Sequence, residues 1–301
     1  MVALGGNALL ERGEPPDAAV QLGHIQKAAH ALAPLAAEHE LIICHGNGPQ
    51  VGLLALESAA DRSLSRPYPL DALGAQTQGM IGYWLTQSLR NAGVTKPVLA
   101  VVTQAVVDPA DPAFAEPAKF VGPVYAYGQA QHLADLRGWT IAPDGEHWRR
   151  VVPSPDPQRI VEQDSINALV AAGTVVVCGG GGGAPVIDAA GLRGVEAVVD
   201  KDLTATLLAV AVDADRLVLL TDVPGVMARF GTPTAALLPL LDLDELADSA
   251  FPAGSMGPKI DACRRFVTAT GRPAAIGALA DASAVLTGAN GTTITPGKSV
   301  S

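Results

Sequence analysis

The chain is short of charge, of cysteine and of lysine, and each shortage excludes something. Charged residues make up only 17% of the 301 residues, and 30 acidic against 20 basic side chains leave a formal charge of −10. Nucleic acids and anionic membranes are bound by basic surfaces, so neither is an expected partner. The three cysteines (Cys44, Cys178 and Cys263) are odd in number and have no C-x-x-C spacing. That fits neither a disulfide framework nor a zinc site; all three read as reduced core thiols. Apolar runs such as residues 207–212 fall far short of the ~20 residues that cross a bilayer. The opening Met1-Val2-Ala3-Leu4-Gly5-Gly6 has neither the basic start nor the long apolar core of a signal peptide, and a cytoplasmic protein is expected. Apolar residues, by contrast, are 49% of the chain, enough for one large α/β domain or two lobes.

Short apolar runs alternate with longer segments of helical period, the pattern of a parallel sheet covered on both faces. Strands are expected at residues 1–4, 41–44, 98–103, 174–178, 195–199, 217–221 and 273–276. Leu22, Ile25, Ala29, Leu32 and Leu35 keep a 3.6-residue period and predict a first helix. A second opens at Asp71 as N-cap, a third runs over 160–172 to Gly173, and a fourth starts near Met256 and stops at Gly271. Residues 109–157 break the rhythm with clustered prolines, aromatics and charges, including Trp139 and Trp148. So long a structureless loop is unusual in a compact domain, and an inserted excursion with its own packing explains it better.

Three glycine-rich loops each follow an expected strand: Gly5-Gly6-Asn7, His45-Gly46-Asn47-Gly48-Pro49-Gln50, and the run 179–183. Glycine lets backbone N–H groups approach an anion, and in an open parallel sheet such loops lie at the carboxyl ends of strands, where ligands bind. Glycine equally serves tight turns. The two commonest phosphate fingerprints are missing. No G-x-x-x-x-G-K-[ST] occurs, and Val51 stands where the loop at Gly46 and Gly48 would need its third glycine. The six histidines show no metal spacing, so no protein-borne metal ligand is expected.

Only six residues are lysine against fourteen arginines, and three of the six have motif-like settings. Lys201 lies between Asp200 and Asp202, Lys259 follows Gly257-Pro258 at a helix start, and Lys119 lies in the proline-rich excursion. A lysine is a compact, flexible point charge. Phosphoryl transfer brings two anions together, and its catalysis is chiefly positioning and electrostatic stabilisation, which several lysines held by an aspartate can supply. The same residues are also compatible with surface ion pairs of about 0–1 kcal/mol each.

Taken together these segments resemble the carbamate kinases, within the amino acid kinase family. The resemblance covers nearly the whole chain and rests on ordered matches. They are Ala3-Leu4-Gly5-Gly6-Asn7-Ala8, His45 through Gly52, Asp71 through Tyr83, Arg149-Arg150-Val151-Val152-Pro153-Ser154-Pro155, Asp200-Lys201-Asp202, and the segment 254–259. It departs at Ala118, where family members commonly have threonine before the lysine.

The resemblance implies a three-layer αβα sandwich with a largely parallel central sheet, two lobes and a small protruding subdomain. Residues 1–185 would bind carbamate or carbamoyl phosphate, with the protrusion at about 112–150, and residues 186–301 would bind the nucleotide. By similarity, Gly5, Gly6, Asn7, Gly46, Asn47 and Gly48 would hold carbamate and the moving phosphoryl group. Lys119 would reach in from the protrusion, Lys201 would flank the phosphoryl group, Lys259 would bind nucleotide phosphates, and Asp202 would orient the lysines. Lys201, Thr221, Asp222, Val226, Met256, Gly257 and Lys259 would form the nucleotide site, with Mg2+ carried by ATP or ADP. The family forms homodimers and usually runs towards ATP synthesis during breakdown of arginine or related nitrogen compounds. Two alternatives stay open: a kinase of another small carboxylate, and a non-catalytic nucleotide-binding regulator.

Overall fold

The computed structural model describes residues 1–11, 13–247 and 256–297. Eight strands form the main sheet. In spatial order they are β15 (Leu240–Asp242), β17 (Thr292–Thr295), β16 (Ala274–Ala278), β12 (Leu217–Thr221), β1 (Val2–Leu4), β2 (Ile42–His45), β9 (Val175–Val177) and β3 (Val98–Ala100). Every neighbouring pair is parallel except β16 with β17. The pairing of β1 with β12, Leu4 opposite Leu220, joins strands from the two ends of the chain.

The strands alternate faces because side chains in a strand repeat every second residue. Val2, Leu4, Val218 and Leu220 point to one face, where α1 (Ala18–Glu38), α3 (Leu70–Asn91) and α9 (Ala282–Thr287) close the core with Ile25, Leu32, Ile81, Leu85 and Val285. Ala3, Leu217 and Leu219 point to the other, where α6 (Lys201–Ala211) and α8 (Met256–Thr270) supply Ala205, Ala209, Cys263 and Phe266. The architecture is therefore an αβα sandwich. The three cysteines are buried and unpaired within it.

Beside this sheet, β11 (Leu192–Gly194), β10 (Ala184–Asp188), β4 (Gln104–Val107) and β8 (Pro157–Ile160) form a four-stranded sheet, followed in the chain order of β8 by α5 (Gln163–Ala171). A three-stranded antiparallel sheet, β5 (Lys119–Tyr125), β7 (His147–Val152) and β6 (Thr140–Asp144), carries α4 (Tyr127–Arg137). It stands on α2 (Gly48–Ala60) where backbones touch: a Cβ on Gly52 would lie 2.8 Å from the Cα of Gly122, itself at φ +77° in a bulge of β5. A short hairpin, β13 (Met227–Ala228) with β14 (Ala236–Leu237), and α7 (Leu243–Ala247) complete the described chain.

Several expected boundaries move. The run 98–103 is not one strand. The main sheet ends at Ala100, and Gln78 clamps Thr103 by accepting from its N–H at 2.8 Å and donating to its C=O at 3.1 Å, so β4 starts afresh in the second sheet. Residues 195–199 form no strand: Ala197 and Val199 are buried, Val198 packs on a different cluster, and no ladder forms. Helix α3 starts one residue before Asp71, with Pro69 as its cap, so Asp71 serves the first turn, where a negative charge suits the helix dipole. Ile160 closes β8 and α5 begins only at Gln163.

Candidate active site

The parallel strands end together, and their loops meet in one cleft of about 230 Å³. Gly5 and Gly6 follow β1, Gly46 follows β2, and the glycine run follows β9. The first two loops abut: a Cβ on Gly46 would lie 3.1 Å from the Cα of Gly6 and 3.5 Å from Cδ of Lys201. Three helices, α2, α6 and α8, start at the cleft through Gly48, Lys201 and Pro258, and their N-terminal dipoles favour an anion there.

Three lysines meet on two aspartates. Lys201 and Lys259 donate to opposite oxygens of Asp202, at 2.5 Å to Oδ1 and 2.9 Å to Oδ2. Lys119, at the start of β5, donates to Oδ2 of Asp200 at 2.6 Å. Oδ1 of Asp200 caps α6 by accepting from the N–H of Asp202 at 2.8 Å. Burial disfavours ionisation of Asp202, yet the ammonium groups of Lys201 and Lys259 outweigh it and hold the carboxyl well below the usual aspartate range. Asp200 is lowered likewise against its burial, chiefly by Lys119. Burial pulls Lys201 down, but Asp202 raises it above the ordinary lysine value. For Lys259 burial and the charge of Lys201 prevail, and its pKa falls. Three ammonium groups against two carboxylates leave the cleft one positive charge in excess among its described lining residues.

The wall of the cleft at Asn47 is held by hydrogen bonds. The Thr77 hydroxyl donates to the C=O of Gly74 at 2.7 Å and therefore accepts from Nδ2 of Asn47, at 2.8 Å, which fixes the orientation of that amide. His45, 1% exposed, turns Nδ1 to the C=O of Gly46 at 2.8 Å. That partner only accepts, so the proton sits on Nδ1. Burial pushes its pKa down to about 4, leaving the ring neutral. The run 179–183 packs behind these two side chains. A Cβ on Gly180 would meet His45 Nε2 at 2.4 Å, and one on Gly181 would meet the Asn47 amide at 2.1 Å. Of that run only Gly181 lines the cleft; Gly180 makes room for His45 and Gly182 for Val199, while Gly179 packs against Thr204 and Leu208 and Gly183 against Ala105.

Of the residues singled out from sequence, Gly6, Gly46, Asn47, Gly48, Lys119, Lys201, Asp202 and Lys259 line this one cleft. Gly5 lies just behind it, its N–H donating to Leu220 C=O at 2.8 Å. Asn7 falls in the short helical turn after β1, and its side chain, like Gly254 and Ser255, lies outside the described residues. Met256 and Gly257 open α8 next to Pro258. Val226 is buried, its N–H donating to Thr292. Thr221 and Asp222 line a different and larger cavity, of about 1000 Å³, against α1. Asp200 was missed as a functional residue, although an aspartate directly before a helix is a common N-cap.

Known proteins match this chain in both sequence and fold. The profile of the amino acid kinase family matches residues 1–278. The chain belongs to the amino acid kinase family. Within that family it is 50% identical to a carbamate kinase of Rhizobium meliloti over 98% of this chain and 92% of that one. It is 48% identical to a carbamate kinase of Escherichia coli over 98% of both. Among solved structures, the carbamate kinase from Giardia lamblia bound to AMP-PNP superposes with a TM-score of 0.90 at 38% identity, covering 98% of each chain.

Proposed function

We propose that this protein is a carbamate kinase, moving a phosphoryl group reversibly between ATP and carbamate to give ADP and carbamoyl phosphate. The observation that carries this reading is the meeting of Lys119, Lys201 and Lys259 on Asp200 and Asp202 inside the glycine-lined cleft. The phosphoryl group in transit spreads its charge over its oxygens, and preorganised donors in a water-poor site stabilise that charge without reorganising. Lys201 flanks the group from one side and Lys119 from the other. Lys259 binds the nucleotide phosphates, and Asp202 keeps Lys201 and Lys259 ionised and aimed. Gly5, Gly6, Asn7, Gly46, Asn47 and Gly48 hold the carbamate end.

The nucleotide is assigned to residues 186–301, its phosphates at Lys259 beside Met256 and Gly257 and the rest of it directed towards Thr221, Asp222 and Val226 outside the cleft lining, and carbamate to residues 1–185. The binding of AMP-PNP by the Giardia relative supports ATP or ADP as co-substrate. Both cleft carboxylates are taken by lysines, so in this reading the nucleotide phosphates would hold Mg2+, which would supply charge neutralisation there.

A kinase acting on a larger carboxylate substrate would need a cation for the distal carboxylate, commonly arginine. No arginine stands among the described residues lining the cleft. The discriminating experiment supplies Mg-ADP with carbamoyl phosphate or, separately, with an acyl phosphate bearing a second carboxylate. ATP from carbamoyl phosphate alone is expected; preference for the acyl phosphate would overturn the assignment.

The reading includes a homodimer in the cytoplasm. Leu99 and Val102, on and just beyond the edge strand β3, are 47% and 49% exposed, and Tyr83 on α3 is 59% exposed. α3 and β3 pack tightly, since a Cβ on Gly82 would lie 2.7 Å from that of Ala100, while Leu99, in register with Val176, points to the opposite face of the sheet, so exposed apolar side chains flank this edge on both faces. Such an edge is suited to a two-fold contact. No described helix is long and apolar enough to cross a membrane.

A further inference from the structure

The segment Arg149-Arg150-Val151-Val152-Pro153-Ser154-Pro155 carries no role in the chemistry above, yet it forms the root of the protruding sheet. Three polar contacts tie that root to the body, and among the described residues all three land on residues 196–200. Lys119 donates to Asp200 at 2.6 Å. The C=O of Pro153 accepts from the N–H of Val198 at 3.0 Å. Arg150 Nη2 donates to Glu196 Oε1 at 3.0 Å. Between them Val121 and Val152 of the sheet pack with Val51, Leu70, Leu73 and Val198. The segment then runs without a break into Lys201 and Asp202.

Glu196 is the outermost of these ties and the most connected. Its second oxygen accepts from the N–H of Leu70 at 2.9 Å, at the first turn of α3. One carboxylate thus joins the protruding sheet, the start of α3 and the strap leading to Lys201. Its partner Arg150 is preset: its guanidinium lies 5.0 Å above the ring of Trp139, and its side chain is only 16% exposed. Stacking holds the cation in place before Glu196 meets it.

We propose that Glu196 is a positioning residue, which acts through Arg150 to seat Lys119 of the protruding sheet opposite Lys201. The seat of the sheet and the placement of the strap are one coupled arrangement: when the Arg150–Glu196 contact is lost, β5 and residues 198–200 loosen together, while Lys201 stays in α6 on Asp202. Lys119 then reaches the cleft less often, while the nucleotide side is untouched. This inference rests on the carbamate kinase reading for its kinetic consequence and on the geometry alone for its structural one.

The test is a double-mutant cycle with a structural readout. Glu196→Gln keeps a carbonyl for Leu70 but presents an uncharged amide to Arg150. It is expected to lower kcat/KM for carbamoyl phosphate by about fivefold, the upper range for a partly exposed ion pair. In a Lys119→Met background the same change is expected to cost less than twofold, since the group it positions is gone. The KM for ADP stays at the wild-type value, and Glu196→Asp restores part of the loss. Independently of turnover, Glu196→Gln is expected to speed amide hydrogen exchange in residues 119–121 and 198–200 together. Equal losses in both backgrounds, or faster exchange in one segment without the other, would overturn the proposal. If the wild type forms no ATP, the reading of the reaction fails, and the exchange data alone decide the coupling.

Discussion

Lys201 and Lys259 share a single carboxylate, each holding one oxygen of Asp202 at 2.5 and 2.9 Å in a site where Asp202 is 3% exposed. Removing that charge leaves two ammonium groups facing each other with only a neutral amide between them. Asp202→Asn is therefore expected to destabilise the fold by about 3 kcal/mol, the scale of breaking a buried pair. Turnover is expected to fall by about 10²–10³, as when a preorganised charge contact is lost. Urea unfolding and steady-state ATP formation measure the two effects. A variant of wild-type rate would remove Asp202 from the site.

Two groups set an acid limit in different pH windows. Folding lowers the pKa of His45 from about 6.5 to about 4, so the unfolded chain takes its proton first. The stability held by its neutral ring is full above about pH 6.5 and is lost as pH falls towards 4, a change of roughly 3 kcal/mol. Asp202 is also lowered on folding, so its contribution is full above the ordinary aspartate value of about 3.9 and is lost only at greater acidity. Urea unfolding from pH 7 to 4 is expected to show falling stability that is flattened in His45→Gln. An unchanged slope in that variant would contradict the assignment to His45.

Gly181 stands at φ +62° with the Asn47 amide where a Cβ would go. Gly181→Ala is expected to cost about 2 kcal/mol in stability through its left-handed backbone alone. It is also expected to push Asn47 off Thr77. The kinetic signature is a raised KM for carbamoyl phosphate with the KM for ADP unchanged. Equal rises in both would mean the glycine run serves the fold and not the substrate wall.

The large strands and the four helices with a clear period were legible, because burial on one face imposes a repeat that residues such as Ile25, Leu32, Ile260 and Phe266 keep. Lys201 and Lys259 stood out because lysine is scarce and each has a motif-like setting, Lys201 between two aspartates and Lys259 after Gly257-Pro258 at a helix start. The second sheet was not legible: β4 follows a bend at Thr103 that only the distant Gln78 enforces. The apolar run 195–199 imitates a strand because Ala197 and Val199 are buried and Val198 is half-buried against a different cluster, a tertiary arrangement without local periodicity. The resemblance brought Lys119 to the site, but its pairing with Asp200, across 81 residues of chain, left no signal in the sequence. The Thr77–Asn47 and Glu196–Arg150 contacts left no local signal at all.

The exposed Leu99, Val102 and Tyr83 lead to a prediction about assembly. Leu99→Glu places a charge on the edge strand and is expected to convert a dimer into a monomer in sedimentation analysis, with the far-UV circular dichroism preserved. A wild-type protein that sediments as a monomer at micromolar concentration would contradict the dimer assignment.

The most direct test of the central claim is ATP formation from carbamoyl phosphate and Mg-ADP by the purified protein and by its Lys201→Ala variant. The lysine cluster predicts rapid ATP formation by the wild type and a loss of at least about 10²-fold in the variant, with its thermal unfolding still cooperative. Equal rates in the two proteins, or no ATP from a folded wild type that binds ADP, would contradict phosphoryl transfer at this cleft.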